Sequence, residues 1–247
     1  MKQPVPRTRT RNAAATAPPE GLTTPRGATR ERIRTIAEDL YVLRGHDGFS
    51  FGHIADAVGT TRANIHHHFR DKRQLMGELI DVFVDDALAR IASNWTQPGA
   101  RFADRLAAQL DDLHRFYTRF NPQPGDRNVW SPLSRLRLDL PTLGELASDA
   151  LMRVDHAYDA SLRQAVIEAV EAGELLPDTP VDDVARLLRV SLLSCAPMTQ
   201  DSGDFKEVQK FFATIERMIL AAWSSKGGPT PAARARPQPS KPRNRRA

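Results

Sequence analysis

Apolar residues recur at steps of three and four positions through most of the chain between residues 27 and 224. This spacing lines one face of an α-helix, whereas a half-buried strand would alternate apolar and polar residues. No segment alternates long enough to make a convincing strand, and no unit of about 20–50 residues repeats. The pattern therefore predicts an all-α fold.

Glycines, prolines and capping residues divide this pattern into separate helices. The first helix is expected to stop at Gly45, and two short helices with Gly59 between them follow. A long helix then begins near Lys72 and ends before Pro98. We predict about nine helices, over 29–44, 51–58, 62–68, 72–95, 101–120, 131–138, 142–172, 181–197 and 204–224.

Positive charge is concentrated at the two ends of the chain. Residues 1–26 carry five basic side chains and one acidic, and residues 226–247 carry seven basic and none acidic. Both ends are rich in Pro, Ala, Thr and Arg and lack helical periodicity, so we predict disordered basic arms over 1–26 and 225–247. Such arms either bind polyanions nonspecifically or are only solvated. The region 81–225 is acidic, which argues against nucleic acid wrapping around the whole molecule.

The strongest local signal lies in residues 33–72, which predict three helices, the last two short and joined at a glycine. This is the layout of a helix-turn-helix, in which the second short helix enters the major groove of DNA. The small core should contain Ile36, Leu40, Phe49, Ile54, Ala55, Val58, Ile65 and Phe69. The side chains expected to point outward can bond phosphates or base edges: Thr60, Thr61, Arg62, Asn64, His66 and His67.

The run from His66 to His68 is not expected to bind a metal ion. Consecutive helical residues point about 100° apart, so the three rings cannot converge on one ion. We therefore predict no metal site here, and we expect His68 to pack against the turn.

The segment GHDGFSFGHIADAVGTTRANIHHHFRDKRQLM resembles the N-terminal domain of TetR-family transcriptional regulators, a group that includes AcrR-like proteins. The resemblance covers residues 29–80 by motif: Gly45 after the first helix, the capped segment 54–59, and the block from Ile65 to Lys72. There are two departures. The family usually has tyrosine where His66 stands, and often a basic or polar residue where Gly52 stands.

The resemblance implies a sequence-specific, DNA-binding transcriptional regulator, with repression favoured over activation. Arg62 and Asn64 become the candidates for reading bases, because Arg can bind guanine and Asn adenine with two hydrogen bonds. Thr61, His67 and Lys72 would hold phosphates, although Thr61 could be a helix cap only, and Arg62 and Lys72 could be solvated charges. The implied DNA-binding set is Ser50, Thr60, Thr61, Arg62, Ala63, Asn64, His66, His67 and Lys72.

The resemblance also implies a DNA-binding domain over 27–74 and a larger helical domain over 75–224 for effector binding and dimerisation. The last two helices would pair with those of a second copy, so that the two DNA-binding domains of the dimer bind the two halves of a pseudopalindromic operator. The interface candidates are Leu188, Leu192, Phe212, Ile215 and Ile219, although half of this apolar surface could belong to the chain's own core.

An unknown small-molecule effector is the implied ligand, and we expect no other cofactor. The effector would move the long helix that begins near Lys72, change the separation of the heads and lower affinity for the operator. Most large apolar residues of a helical body are core, which is the alternative for each lining residue. The pocket candidates are Phe102, His114, Tyr117, Trp130, Leu133, Arg137, Met152 and His156.

Other functional classes have little support in the sequence. The motifs G-x-S-x-G, G-x-x-x-x-G-K-[ST] and H-E-x-x-H do not occur, so we expect no enzyme. The remaining alternative is a helix-turn-helix interaction protein that binds DNA nonspecifically through its basic arms. The chain has one cysteine, Cys195, and no apolar stretch near the roughly 20 residues of a membrane helix, so we expect a cytoplasmic protein without a membrane partner.

Overall fold

The computed structural model of this chain describes residues 26–225. The predicted arms lie outside the described residues, apart from Arg26, which begins the first helix, and Ser225. The described residues form ten helices, and apart from one isolated bridge between Leu175 and Ser224 they contain no strand pairing. The helices are α1 (Arg26–Arg44), α2 (Phe51–Val58), α3 (Arg62–His68), α4 (Lys72–Trp95), α5 (Phe102–Phe120), α6 (Pro132–Leu138), α7 (Leu140–Leu143), α8 (Glu145–Glu171), α9 (Val181–Ser202) and α10 (Lys206–Trp223).

The all-α prediction is confirmed, and the helix boundaries differ from the predicted ones most clearly at two places. The segment expected to be one helix over 142–172 is preceded by the short α7, because Gly144 has φ 56° and ψ −129° and separates α7 from α8. Helix α9 continues through Pro197 to Ser202, since a proline inside a helix removes one donor but does not always end the helix.

Helices α1 to α3 form a small head that packs on the start of α4. Its core differs from the expected one on α1, where Ile36 and Leu40 are only half-buried. The fully buried positions of α1 are Ile33, Ala37, Tyr41 and Val42. The apolar face of α1 is broad, and packing against the neighbouring helices selects which part of it is covered.

The remaining helices form the body, in which α4 packs along α8, and α8 packs along α9. The junction of α4 and α5 is held by the buried guanidinium of Arg105. Its nitrogens donate to the carbonyl oxygens of Trp95 at 2.7 Å, Gln97 at 2.9 Å and Ala100 at 3.2 Å, and it pairs with Glu168 of α8. Arg105 therefore satisfies the carbonyl group of the last residue of α4 and bonds two carbonyl groups of the link to α5.

Within residues 26–225, none of the helices combines the length and the apolar character needed to cross a membrane.

Candidate nucleic-acid interface and internal cavity

The turn between α2 and α3 is fixed by local hydrogen bonds. Ser50 caps α2, its Oγ accepting from the backbone N–H of His53 at 3.3 Å, and Thr61 caps α3 by accepting from Asn64 N–H at 3.2 Å. Gly59 lies between the two helices with φ 75° and ψ 43°, a left-handed conformation that costs glycine little and other residues more. The caps predicted at Ser50 and Thr61 are confirmed.

Helix α3 presents an exposed polar face at the surface of the head. Arg62, Ala63, His66 and His67 are exposed, as is the capping residue Thr61. Among the described residues, Arg62 forms no ion pair. An exposed cation without a carboxylate partner is free to bond a phosphate or a guanine edge.

Asn64 is less free than its neighbours on α3. It is half-buried, and its Nδ2 donates a hydrogen bond to the hydroxyl of Thr60 at 2.9 Å. The side chain thus braces the turn with one of its two amide hydrogens, while its Oδ1 and the other hydrogen stay available to a base edge. Arg62 is the more exposed of the two candidates, and Asn64 is the one whose orientation is already fixed.

Lys72 is turned toward the protein rather than away from it. Its ammonium donates to the carbonyl oxygens of Phe49, at 2.8 Å, and of His46, and lies 4.6 Å from the centre of the Phe49 ring. Burial lowers the pKa of Lys72, and the nearby carboxylates of Asp47 and Asp139 offset part of this shift. Lys72 therefore braces the loop before α2 as well as being a candidate for a phosphate contact.

His66 also makes contacts within the head. Its ring lies 4.8 Å from the ring of Phe51 in an edge-to-face arrangement, and its Nδ1 is 3.4 Å from the carbonyl oxygen of Arg70. An exposed ring in this position can still reach outward, so it stays a candidate. The described residues contain no cluster of three or more His, Cys, Asp or Glu side chains placed to hold a metal ion.

The head is fastened to the body by two residues of α6 and its end, which the sequence analysis did not select for this role. Arg135 donates to the carbonyl oxygens of Val42, at 2.9 Å, and Leu43, at 3.0 Å, and so satisfies the end of α1. Asp139 accepts from the backbone N–H of His46 at 2.9 Å. We call these two residues the α6 clamp.

An internal cavity lies between α5, α6, α8 and α9. It encloses about 60 Å³, far less than the roughly 300–1,000 Å³ of sites that enclose drug-sized ligands. Three of the predicted pocket residues, Trp130, Leu133 and Arg137, line it. The other lining residues are Leu113, Ser131, Ser134, Val154, Asp155, Tyr158, Arg189, Leu192, Leu193 and Ala196.

The other five predicted pocket residues lie outside this cavity. Met152 and His156 are exposed, because they are offset by two positions from Val154 and Tyr158 and thus lie on the far side of α8. The remaining three serve packing: Phe102 begins α5 with its N–H bonded to Glu174, Tyr117 is buried in the core, and His114 is exposed with its ring on Phe205.

The five residues predicted for the dimer interface lie on the inner sides of their helices. Leu188, Phe212, Ile215 and Ile219 are buried in the chain's own core, and Leu192 lines the cavity. Their side chains face the inside of the chain, so they belong to its own core, which was the alternative to an interface.

The outer faces of α9 and α10 carry other apolar side chains. Among the described residues, seven large apolar side chains are exposed, and four of them lie here: Leu187, Val190 and Leu193 on α9, and Met218 on α10. Helices α9 and α10 pack against each other, and Leu193 also lines the cavity. Exposed apolar residues that form one surface are typical of an association site, whereas scattered ones are ordinary. We call these four residues the outer apolar face.

Comparisons with known proteins agree with this architecture. Residues 33–79 match the family model described as bacterial regulatory proteins of the tetR family. The chain is 31% identical over 75 residues to the HTH-type transcriptional repressor KstR2 of Rhodococcus jostii, and 41% identical over 51 residues to the HTH-type transcriptional regulator AcrR of Shigella flexneri. These matches span 30% and 21% of this chain, but only 37% and 24% of the two curated relatives.

Solved structures share the fold over a larger part of the chain. A TetR transcriptional regulator from Chloroflexus aurantiacus has a TM-score of 0.67 at 18% identity, covering 81% of this chain and 98% of that one. NemR from E. coli, in its reduced form, has a TM-score of 0.64 at 18% identity, covering 77% and 96%. Residues 33–79 therefore resemble the corresponding segment of bacterial regulatory proteins of the tetR family, and the described residues share the fold of these solved structures.

Proposed function

We propose that this protein is a ligand-responsive repressor that binds a pseudopalindromic DNA operator as a homodimer. The observation that carries the proposal is the exposed polar face of α3, the helix that follows the turn at Gly59. On this face Arg62 forms no ion pair within the described residues. A recognition helix of this kind inserts into the major groove, and the helix before it crosses the backbone. The curated relatives KstR2 and AcrR, a repressor and a regulator by name, support this direction.

Dimerisation is proposed through the outer apolar face of α9 and α10. Burying Val190 and Met218 against a second copy would remove apolar surface from water, which is favourable at about 25 cal/mol per Å². A two-fold axis at this face would place two identical heads on one duplex. The cytoplasmic location inferred from the sequence, and the absence of catalysis expected there, stay predictions of the same proposal.

Effector control is proposed through the cavity and the α6 clamp. Helix α6 supplies Leu133 and Ser134 to the cavity, and its Arg135 bonds the head. A ligand that moves α6 would therefore also move Arg135 and the end of α1. A ligand changes operator affinity only by binding the two arrangements of the head with different affinity. The long helix α4 and the clamp are two routes by which such a difference can reach α3.

The test is selection of duplexes from a random pool by the full-length protein at a stated salt concentration. The same selection is run with an Arg62→Ala, Asn64→Ala double variant, and an Arg153→Ala variant serves as control because Arg153 is an exposed cation of the body. We expect a two-fold symmetric site with the wild type and the control, and its loss with the double variant.

Equal, salt-sensitive binding of all sequences by every variant would contradict the proposal. That result would support the alternative of a helix-turn-helix protein that binds DNA nonspecifically, because phosphate contacts alone do not distinguish sequences.

A further inference from the structure

The cavity contains a cationic side chain whose hydrogen bonding is incomplete. The Nε of Arg189 is shielded from solvent and has no hydrogen-bond partner among the described residues. The carboxylate nearest to it, that of Asp159, is 4.0 Å away, which is too long for a hydrogen bond. A shielded guanidinium N–H without an acceptor is costly, and few native groups stay in that condition.

The other charged groups of the cavity already have partners. Arg137 pairs with Asp155 at 3.2 Å across the gap between α6 and α8. Lining residues therefore carry two guanidinium groups and one carboxylate, and Arg189 is the cation whose only ion pair within residues 26–225, with Asp159 outside the lining, is too long for a hydrogen bond. An anionic acceptor would complete it, because hydrogen bonds between ionised groups are shorter and stronger than those between neutral groups.

Most of the remaining lining is apolar, with a few hydroxyl groups. Leu113, Leu133 and Leu192 surround the space with the indole of Trp130, whose Nε1 already donates to Thr199 at 2.7 Å. Burial raises the pKa of Tyr158 to about 12, so its phenol stays a neutral hydrogen-bond donor at physiological pH. This lining suits a compact apolar group attached to the anion.

From the Arg189 Nε, which lacks a hydrogen-bond acceptor among the described residues, and from this apolar lining, we propose that the cavity binds a small monocarboxylate with a compact apolar group, its carboxylate held by the Arg189 guanidinium. The inference rests on the proposed effector control and names the chemical class of the effector. The volume of about 60 Å³ favours the smallest molecules of this class. An engineered cavity that binds benzene measures about 150 Å³, so isobutyrate, which has as many heavy atoms as benzene, would enter as α6 moves outward, and an aromatic carboxylate would need a larger displacement.

The experiment measures binding of isobutyrate to the full-length protein by calorimetry and by the fluorescence of Trp130, which lines the cavity. Isobutyramide, which has the same shape without the charge, is the ligand control. Arg189→Gln is the test variant, and Arg186→Gln is its matched control, because Arg186 is an exposed cation one turn earlier on α9. Trp130→Phe identifies the fluorescence signal.

We expect isobutyrate to bind at least tenfold more tightly than isobutyramide, and this preference to be lost in Arg189→Gln and kept in Arg186→Gln. Arg189→Lys should recover it only in part, because lysine keeps the charge but lacks the Nε–H. Equal binding of acid and amide, or an acid preference that survives Arg189→Gln, would overturn the inference. So would a monomeric Arg189→Gln protein, since the guanidinium would then be a contact between copies.

The affinity of Arg189→Gln for the selected duplex, without any carboxylate, separates this inference from the proposed function. It should equal that of the wild type. If the protein selects an operator but does not bind carboxylates, only this inference is contradicted. If it selects no operator, the proposed function is contradicted.

Discussion

Two side chains that can both bond a base edge differ in how far other contacts already hold them, and helix α3 of the head shows this. Arg62 and Asn64 were equal candidates from the sequence, because both can read a base edge with two hydrogen bonds. In the structure Arg62 is exposed and free of ion pairs with the described residues, whereas Asn64 is bonded to Thr60. Their contributions to DNA recognition should therefore differ.

Arg62→Ala should lower affinity for the selected duplex by about ten- to a hundredfold, the loss of one good bidentate contact at roughly 1–3 kcal/mol. Asn64→Ala should cost less, since Asn64 is half-buried and one of its two amide hydrogens already bonds Thr60. Fluorescence anisotropy of a labelled duplex measures both, and circular dichroism checks that each variant folds. A larger loss for Asn64→Ala than for Arg62→Ala would show that the Thr60 bond does not hold the amide back.

Arg105→Met should destabilise the body by about 3 kcal/mol, because it removes the side-chain donors to the carbonyl group of Trp95 and to two carbonyl groups of the α4–α5 link. Urea denaturation followed by far-UV circular dichroism gives the free energy of unfolding. Arg101→Met is the control, since its pair with Asp104 is exposed and should leave stability unchanged. Equal stability of the two variants would mean that the carbonyl groups find water instead.

At the scale of the element, the sequence predicts best where the controlling interactions are local. The caps at Ser50 and Thr61 and the glycine turn at Gly59 depend on residues three or four positions away, and all three are found as expected. The role of Arg135 could not be predicted in this way. Its partners, the carbonyl groups of Val42 and Leu43, are about ninety positions away, and no local pattern links them.

The pocket and interface candidates show the same division. Helical periodicity indicated which residues of α9 and α10 are apolar, but it did not show which apolar side faces the chain's own core. Leu188 and Val190 are two positions apart on α9, and one is buried while the other is exposed. Only the packing of α9 against α8 and α10 decides between them.

The α6 clamp gives a prediction at this scale. Arg135→Met should speed amide hydrogen exchange in residues 41–49, because the end of α1 loses two donors to its carbonyl groups. Hydrogen exchange read by mass spectrometry reports it peptide by peptide. Arg119→Met, which removes exposed ion pairs between α5 and α1, should have a smaller effect. No change in residues 41–49 would show that α6 does not fasten the head.

At the scale of the whole molecule, the outer apolar face should set the oligomeric state. Val190→Asp combined with Met218→Asp should convert a dimer into monomers, because two carboxylates per chain would be buried without partners. Sedimentation velocity gives the mass in solution. The matched control is Met152→Asp on α8, since Met152 is 53% exposed and Val190 51%. Dimers that survive the double substitution would place the interface elsewhere.

Charge over the whole chain complicates any DNA measurement. The basic ends carry twelve cationic side chains, so salt-dependent binding alone does not report what α3 does. A useful comparison therefore keeps the protein, the salt and the duplex length the same and changes only the base sequence.

The most direct test that a homodimer binds both half-sites compares two affinities of the wild-type protein. One is for the selected duplex, and the other is for the same duplex with one half-site scrambled. Because each mismatched base pair costs about 1–3 kcal/mol, the loss of one half-site should weaken binding by roughly a hundredfold or more at constant salt. Equal affinity for the two duplexes would contradict the account, since it would mean that the paired α3 helices do not read the DNA.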